Sequence, residues 1–371
     1  MISVAFPVRN FSLTSGVSRC VVETVRRLPG SGFTPVVYAH RLPPALPSDV
    51  CVKTVPMVPL SSWGRAASFD AFFRWRARRD GIGLVHGQGD VTRQDVVTVN
   101  NCDAAAAHYV PDGRRPSSGV RYVRERQFSG SGSRTVIAIS RRVREDVIRF
   151  YGVPEEKVRI VTYGVDSERY TPARRTELRG RWLGEWGWPS SAFVVLSVVS
   201  GDVSKRNVSL LIRAASSLAR STPLHLCLVG GFSEKDDHFR TCSAEIRSLM
   251  DMNRIRMCPH ARNVEEYYPA ADVFVLAAHY EEWGLTTMEA MSSGCPAIVS
   301  RMAGSSELLT DGKDGYVLAD LADPAELMEK LTTLASPERA REMGRCARAA
   351  MERYTWPLYV QSLAGIYREL I

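Results

Sequence analysis

Asp272-Val-Phe-Val-Leu-Ala-Ala-His-Tyr-Glu-Glu-Trp-Gly-Leu-Thr-Thr-Met-Glu-Ala-Met-Ser-Ser-Gly-Cys-Pro296 is a strand, a loop and a helix laid end to end. The apolar run from Asp272 to Ala278 has strand length, and the loop after it carries two carboxylates. Gly284 lets backbone approach a ligand closely, and the helix then runs to a stop at Gly294 and Pro296. A second short apolar run, Pro296–Ser300, follows at once. Strand, helix and strand in succession imply a parallel pair with its crossover helix on one face.

The same rhythm extends in both directions. Toward the N-terminus of this region lie Phe193–Val199, Leu224–Val229 and Ile255–Cys258, and beyond it Gly315–Leu318, with amphipathic stretches such as Val208–Leu218 and Ala325–Leu334 between them. An earlier series comprises Ile2–Phe6, Pro35–Ala39, Val52–Met57, Gly83–His86, Val96–Val99 and Thr135–Ser140. The chain is therefore α/β, with two doubly wound parallel sheets. Its 371 residues fit that division, because one domain usually holds about 100–200. The expected boundaries are a first domain over 1–168, a linker over 169–191 rich in Gly, Pro and charge, a second domain over 192–354, and a terminal helix over 355–371 that starts at the Thr355 cap.

Composition narrows the function. Every apolar run falls short of the roughly 20 residues that cross a bilayer as a helix. The N-terminus reads as a first strand rather than a signal peptide, and the eight cysteines form no C-x-x-C pair, so a reduced, cytosolic protein is expected. The histidines are too scattered for a metal triad. The net charge of +8 is uneven: residues 1–171 hold 25 Lys/Arg against 15 Asp/Glu, a net +10, and the remainder holds 23 against 25, a net −2. Such an excess suits nucleic acid, an acidic membrane surface or an anionic substrate. Phe72-Phe73-Arg74-Trp75-Arg76-Ala77-Arg78-Arg79 interleaves aromatics with arginines, as single-strand binders do. At helical spacing, however, Phe69, Phe72, Phe73 and Arg76 share one broad face, which predicts aromatics in the core and arginines in water. No zinc-finger, RNA-recognition or helix-turn-helix pattern accompanies it, and nucleic acid is the weakest of the three readings.

Glu281 and Glu289, eight residues apart, stand on either side of the loop-to-helix turn and would bracket an extended polar ligand. The helix start between them offers free N–H groups to sugar hydroxyls or phosphate. Glu281-x7-Glu289, with Trp283-Gly284 inside and Glu289-Ala-Met-x-x-Gly294-x-Pro296 after it, resembles the signature of retaining, GT-B-fold glycosyltransferases that use nucleotide sugars. Val199-Ser-Gly201-Asp-Val-Ser-Lys205-Arg206 is similar to that family's donor-phosphate loop, and Gly304-Ser-Ser-Glu-Leu308 with Asp311-Gly-x-x-Gly315 to a later loop. Thr14-Ser15-Gly16-Val17 resembles its glycine loop at the first helix.

The resemblance implies two Rossmann-like domains facing across a cleft, the C-terminal helix packed back on the first, and transfer of a sugar from a UDP- or GDP-linked donor to a glycan, lipid-linked or small-molecule hydroxyl. It implies Lys205 and Arg206 on the leaving diphosphate, Glu281 on donor-sugar hydroxyls and Glu289 on the ribose. Gly16, Gly201, Trp283, Gly284 and Leu285 complete the donor side. Asn100, Asp103, His108 and His86 are candidates for the acceptor side. No cofactor and no metal is expected beyond the nucleotide-sugar co-substrate. The basic half is expected to face an anionic acceptor or an anionic bilayer. Asp202 stands where the family often has arginine, and Asn100-Asn101 where a histidine is common, so one phosphate contact and one proton acceptor are missing. A nucleotide-sugar epimerase or a catalytically altered binding protein of the same build is the alternative.

Overall fold

The computed structural model describes residues 1–12, 15–111, 113, 115–199, 203–231, 237–259 and 263–371. Two compact units emerge, one of residues 1–107, 114–164 and 354–371 and the other of 108–113 and 165–353.

The first unit is built on a seven-stranded sheet: β1 (Ile2–Pro7), β2 (Phe33–Ala39), β3 (Val52–Thr54), β4 (Leu84–Gly87), β5 (Gln94–Val99), β6 (Ser133–Ala138) and β7 (Val158–Ile160). All neighbours are parallel and the order is β3-β2-β1-β4-β5-β6-β7. Its helices are α1 (Gly16–Arg27), α2 (Ser62–Arg79), α3 (Asp103–Tyr109), which runs on beyond residue 107, α4 (Ser118–Gln127) and α5 (Arg141–Tyr151). The sequence pattern lacks β7, whose three residues are too few to show a period and whose last two are exposed.

The second unit opens with α6 (Arg175–Trp186), β8 (Phe193–Val199), α7 (Val208–Leu218), β9 (Leu224–Gly230), α8 (Asp237–Leu249), β10 (Ile255–Pro259) and α9 (Tyr267–Ala270). It continues through β11 (Val273–Leu276), α10 (Leu285–Ser292), β12 (Ala297–Ser300), β13 (Gly315–Leu318), α11 (Ala325–Leu334) and α12 (Pro337–Met351). Its six strands are again all parallel, ordered β10-β9-β8-β11-β12-β13. All seven residues of β8 are buried, as a central parallel strand covered on both faces requires. The four-residue strand β11 sits beside it in register Val273↔Val195 and Phe274↔Leu196, and the Ser197 hydroxyl donates to the Val275 carbonyl across the pair at 2.9 Å.

The expected linker is a correction. Residues 169–191 are largely the helix α6, and it belongs to the second unit. The charged run works as a clamp: Arg175 donates to the carbonyls of Pro269 and Ala271, and Arg179 to those of Ala270 and Ala192. Both guanidinium groups also meet Asp272 at 3.0 Å. Asp272 in turn accepts from the Val194 amide, so it ties the start of β11 to β8. Trp182 stacks on Tyr267 with ring centroids 4.7 Å apart. Arginines spaced for water are here spent on the ends of α9 and β11.

The terminal helix α13 (Trp356–Leu370) returns to the first unit, capped as expected by the Thr355 side chain on the Leu358 amide. Its Tyr359, Leu363 and Tyr367 are buried there. Gly164 permits this return, since a Cβ on it would lie 2.2 Å from the Trp356 nitrogen.

In α2, Phe69 and Phe73 are buried as their spacing predicts, but Phe72 is 38% and Trp75 56% exposed. The core-facing stripe is only Ala66, Phe69, Asp70, Phe73 and Ala77 wide, and Phe72 and Trp75 project from the other side.

Candidate active site

In an open parallel sheet ligands collect at the carboxyl ends of strands where the order reverses. In the second sheet that point lies between β8 and β11. The loops leaving these two strands hold Lys205 and Arg206 on one side and Glu281 and Glu282 on the other.

Asn207 aims the first loop. Its φ of 49° is the one positive value at a non-glycine residue among the described residues, and asparagine is among the side chains that tolerate it. Its amide donates to the Leu321 carbonyl at 2.9 Å, which fixes the entry to α7. The two residues before it face the β11 loop. Arg206 forms an ion pair with Glu281. Lys205 Nζ lies 2.6 Å from Glu282 Oε2, and its backbone carbonyl accepts from the His279 amide at 3.0 Å. His279 is half-buried, and burial lowers its pKa. All four charged side chains are largely buried, so the pairs sit out of bulk water.

The second loop is pinned on its far side by backbone bonds: the Glu281 amide to Met302 O, the Gly304 amide to Glu281 O, and the Ser305 amide to Trp283 O at 2.7 Å. Gly284 then turns with φ of +96° into α10. A Cβ there would lie 2.8 Å from Ser305 Oγ and 2.9 Å from Leu276 Cδ2, so glycine is required by both conformation and space. Gly284 also offers no side-chain cap to α10, which begins at Leu285; its carbonyl accepts from the Thr287 amide at 3.0 Å. Glu289 stands one turn on, 5% exposed, with Oε2 accepting from the Tyr268 hydroxyl at 2.6 Å.

Trp283, expected on the donor side, is 3% exposed and its Nε1 donates to Met288 Sδ at 3.2 Å. The indole therefore packs the loop down on α10. Gly16 begins α1 after Ser15, whose side chain makes no capping bond. Gly201, with Thr14, Asp202 and His260, falls outside the described residues.

The acceptor-side candidates separate. His86 is a correction: it is fully buried, with Nδ1 2.6 Å from the Tyr367 hydroxyl and Nε2 2.7 Å from Thr98 Oγ1. Both ring nitrogens are occupied and burial pushes its pKa down to about 3, so it serves the core. Asn100 follows β5, donates to Gln88 Oε1 at 2.9 Å and accepts from the Tyr163 hydroxyl at 2.6 Å. Asp103 opens α3 and holds Arg124 at 2.8 Å, while His108 is exposed. The first sheet reverses between β1 and β4, and the loops there are joined by Arg9 and Asp90 at 3.3 Å, a pair that sequence spacing does not reveal. Glu282 was also missed, because its role rests on a partner 77 positions away. Among the described residues no group of three or more His, Cys, Asp or Glu could hold a metal ion.

Comparison with known proteins agrees with this fold. Residues 181–350 match the family model of glycosyl transferases group 1, and residues 14–169 that of glycosyltransferase family 4. The D-inositol 3-phosphate glycosyltransferase of Saccharomonospora viridis is 26% identical over 93% of this chain and 79% of its own length. Similar relatives are spanned over as little as 62% of theirs. Among solved structures, WaaG, a glycosyltransferase involved in lipopolysaccharide biosynthesis, has a TM-score of 0.83 at 20% identity, covering 98% of this chain and 99% of that one. HepE of Anabaena, in complex with UDP and glucose, has a TM-score of 0.78 at 17% identity with full coverage of both. With both Rossmann-like units matched, the chain is a glycosyltransferase of the GT-B fold, its second unit of the group 1 type.

Proposed function

We propose that this enzyme moves a sugar from a UDP- or GDP-sugar to a hydroxyl acceptor with retention, forming an α-glycosidic bond. The observation that carries the reading is the crossover of the second sheet, where the loops after β8 and β11 pair Lys205 with Glu282 and Arg206 with Glu281, and the second loop runs through Gly284 into α10, which bears Glu289. Arg206 and Lys205 neutralise the departing diphosphate, an electrostatic task that needs no bound cofactor or metal. Glu281 accepts from donor-sugar hydroxyls and Glu289 from the ribose. In the retaining route the leaving diphosphate takes the acceptor's proton on the same face of the sugar, so no separate protein base is assigned. Asn100, Asp103 and His108 remain the proposed acceptor-side residues.

A panel of UDP-, GDP- and ADP-sugars, scored for nucleoside diphosphate release with and without acceptors, tests the reading. Inositol 3-phosphate belongs among the acceptors because of the name its relatives carry. One donor should bind and turn over; none doing so defeats the proposal. In that assay Glu289→Ala should weaken donor binding about 10- to 100-fold, the worth of hydrogen bonds to a charged group. Calorimetry with the free nucleoside diphosphate should show the same loss, because the ribose is common to both.

A second reading concerns where the enzyme works. Trp63 is 51% and Trp75 56% exposed, on the side of α2 turned away from the core, where Arg74, Arg78 and Arg79 also lie. The helix's two neighbouring carboxylates are already taken: Asp70 is buried on Thr92 and Arg74, and Asp80 holds Lys53 and Tyr38. Arg79 lies over the Trp75 ring at 5.6 Å, and a hollow among Ala71, Arg74, Trp75, Arg78 and Arg79 opens beside it. Tryptophan beside arginine on one open helix face suits the headgroup layer of an anionic bilayer, on the cytosolic side. Among the described residues no helix is long and apolar enough to span one. The enzyme should co-sediment with vesicles containing phosphatidylglycerol and not with neutral ones. Arg78→Glu with Arg79→Glu should cut the bound fraction several-fold, and raised salt should do the same. Equal binding to both vesicle types, or to neither, rejects docking.

A further inference from the structure

Glu282 has no part in the donor contacts proposed above, yet it is the most deeply placed carboxylate of the site, 3% exposed. Its Oε2 lies 2.6 Å from Lys205 Nζ. The β11 loop thus grips Lys205 twice, by this ion pair on the side chain and by the His279 amide on the carbonyl, while the ammonium stands 5.4 Å from the centre of the Tyr280 ring. A buried carboxylate is costly without a partner, so the two charges hold each other in place.

The charges at the crossover also need arranging before a donor can bind. Lys205 and Arg206 face Glu281 and Glu282, so these four side chains sum to zero. A diphosphate needs a cation turned toward it, and Glu281 must be free to accept sugar hydroxyls. The Arg206–Glu281 pair is then the one that opens: its guanidinium has five donors and can pass from carboxylate to phosphate without losing its geometry. Lysine differs, being a point charge on a flexible four-carbon stem that, if released, could fall onto Glu281.

We propose that Glu282 is a positioning residue: it fixes the Lys205 ammonium at the crossover while Arg206 exchanges Glu281 for the donor's diphosphate. The inference rests on the donor site proposed above. Lys205 then meets the charge that grows on the diphosphate as the glycosidic bond breaks, with little motion needed at that moment.

The test uses the full chain and whichever nucleotide sugar the panel identifies. Glu282→Gln should lower kcat about tenfold or more while donor KM stays within about threefold, because the amide keeps the shape and drops the charge that orients Lys205. Glu282→Asp, which retains the carboxylate, should recover most of the loss. Lys205→Met should be as slow as Glu282→Gln, and Lys205→Met with Glu282→Met no slower than Lys205→Met alone, since Glu282 acts only through Lys205. That double variant replaces a buried ion pair by apolar side chains and guards against a folding defect in Glu282→Gln. A kcat for Glu282→Gln within twofold of wild type, or additive losses in the double variant, overturns the positioning role. If wild type binds no nucleoside diphosphate at all, the donor site fails and takes this inference with it.

Discussion

Replacing Glu281 by glutamine should slow sugar transfer by about 100- to 1,000-fold, the range seen when one preorganised group facing the reacting centre is removed. The amide is nearly the same size, and the loop that carries it is held by backbone bonds to Met302 and Gly304 that do not involve the side chain. The loop should therefore keep its fold, with some loss of stability because Arg206 is left without its partner. Affinity for the free nucleoside diphosphate should hold steady or rise slightly, because Arg206 loses the carboxylate that competes with phosphate for it. Nucleoside diphosphate titration beside steady-state turnover separates the two effects. Equal turnover in variant and wild type would remove Glu281 from the site.

Acid should loosen the first unit, and His86 gives the reason. Its pKa falls from 6.5 to about 3 because the ring is enclosed. The sign follows: between these values the unfolded chain takes a proton that the folded chain refuses, so stability is full above pH 6.5 and falls as pH drops toward 3. The loss from this one group should reach about 2 kcal/mol by pH 5. Urea melts at pH 7.5 and 5.0 measure it. His86→Asn should be less stable at both values but should lose this part of the pH dependence; an unchanged slope would show that another group is responsible.

His86 also shows what a sequence conceals. It ends a strand where ligands gather, and nothing local distinguishes a ligand-facing histidine from one bonded to Tyr367, which lies 281 positions later. The strands were legible because period and composition are local. Phe193–Val199 and Gly315–Leu318 match β8 and β13 residue for residue, and Val208–Leu218 matches α7. The turn at Gly284 and the helix that carries Glu289 were legible because turn geometry and helix start act over a few positions. Glu282, α6 and the outward Trp75 were not. A charge reads as wet until its partner is found, and Arg175 and Glu282 find theirs only through the fold. On α2 the core stripe is narrower than a broad aromatic face suggests, so Phe72 and Trp75 stay outside.

The return of α13 to the first unit has a consequence for the order in which the molecule is made. Synthesis delivers residues 1–164 first, yet that unit lacks Tyr359, Leu363 and Tyr367 until the last residues of the helix emerge. Until then His86 has no phenol to meet and the space beside α1 is open to water. The second unit, 165–353 with its short insert, has its whole set of core residues before α13 exists. The half of the chain that is translated first is therefore the half whose core closes last, and a chain cut near residue 353 would carry the whole core of the second unit attached to an unfinished first.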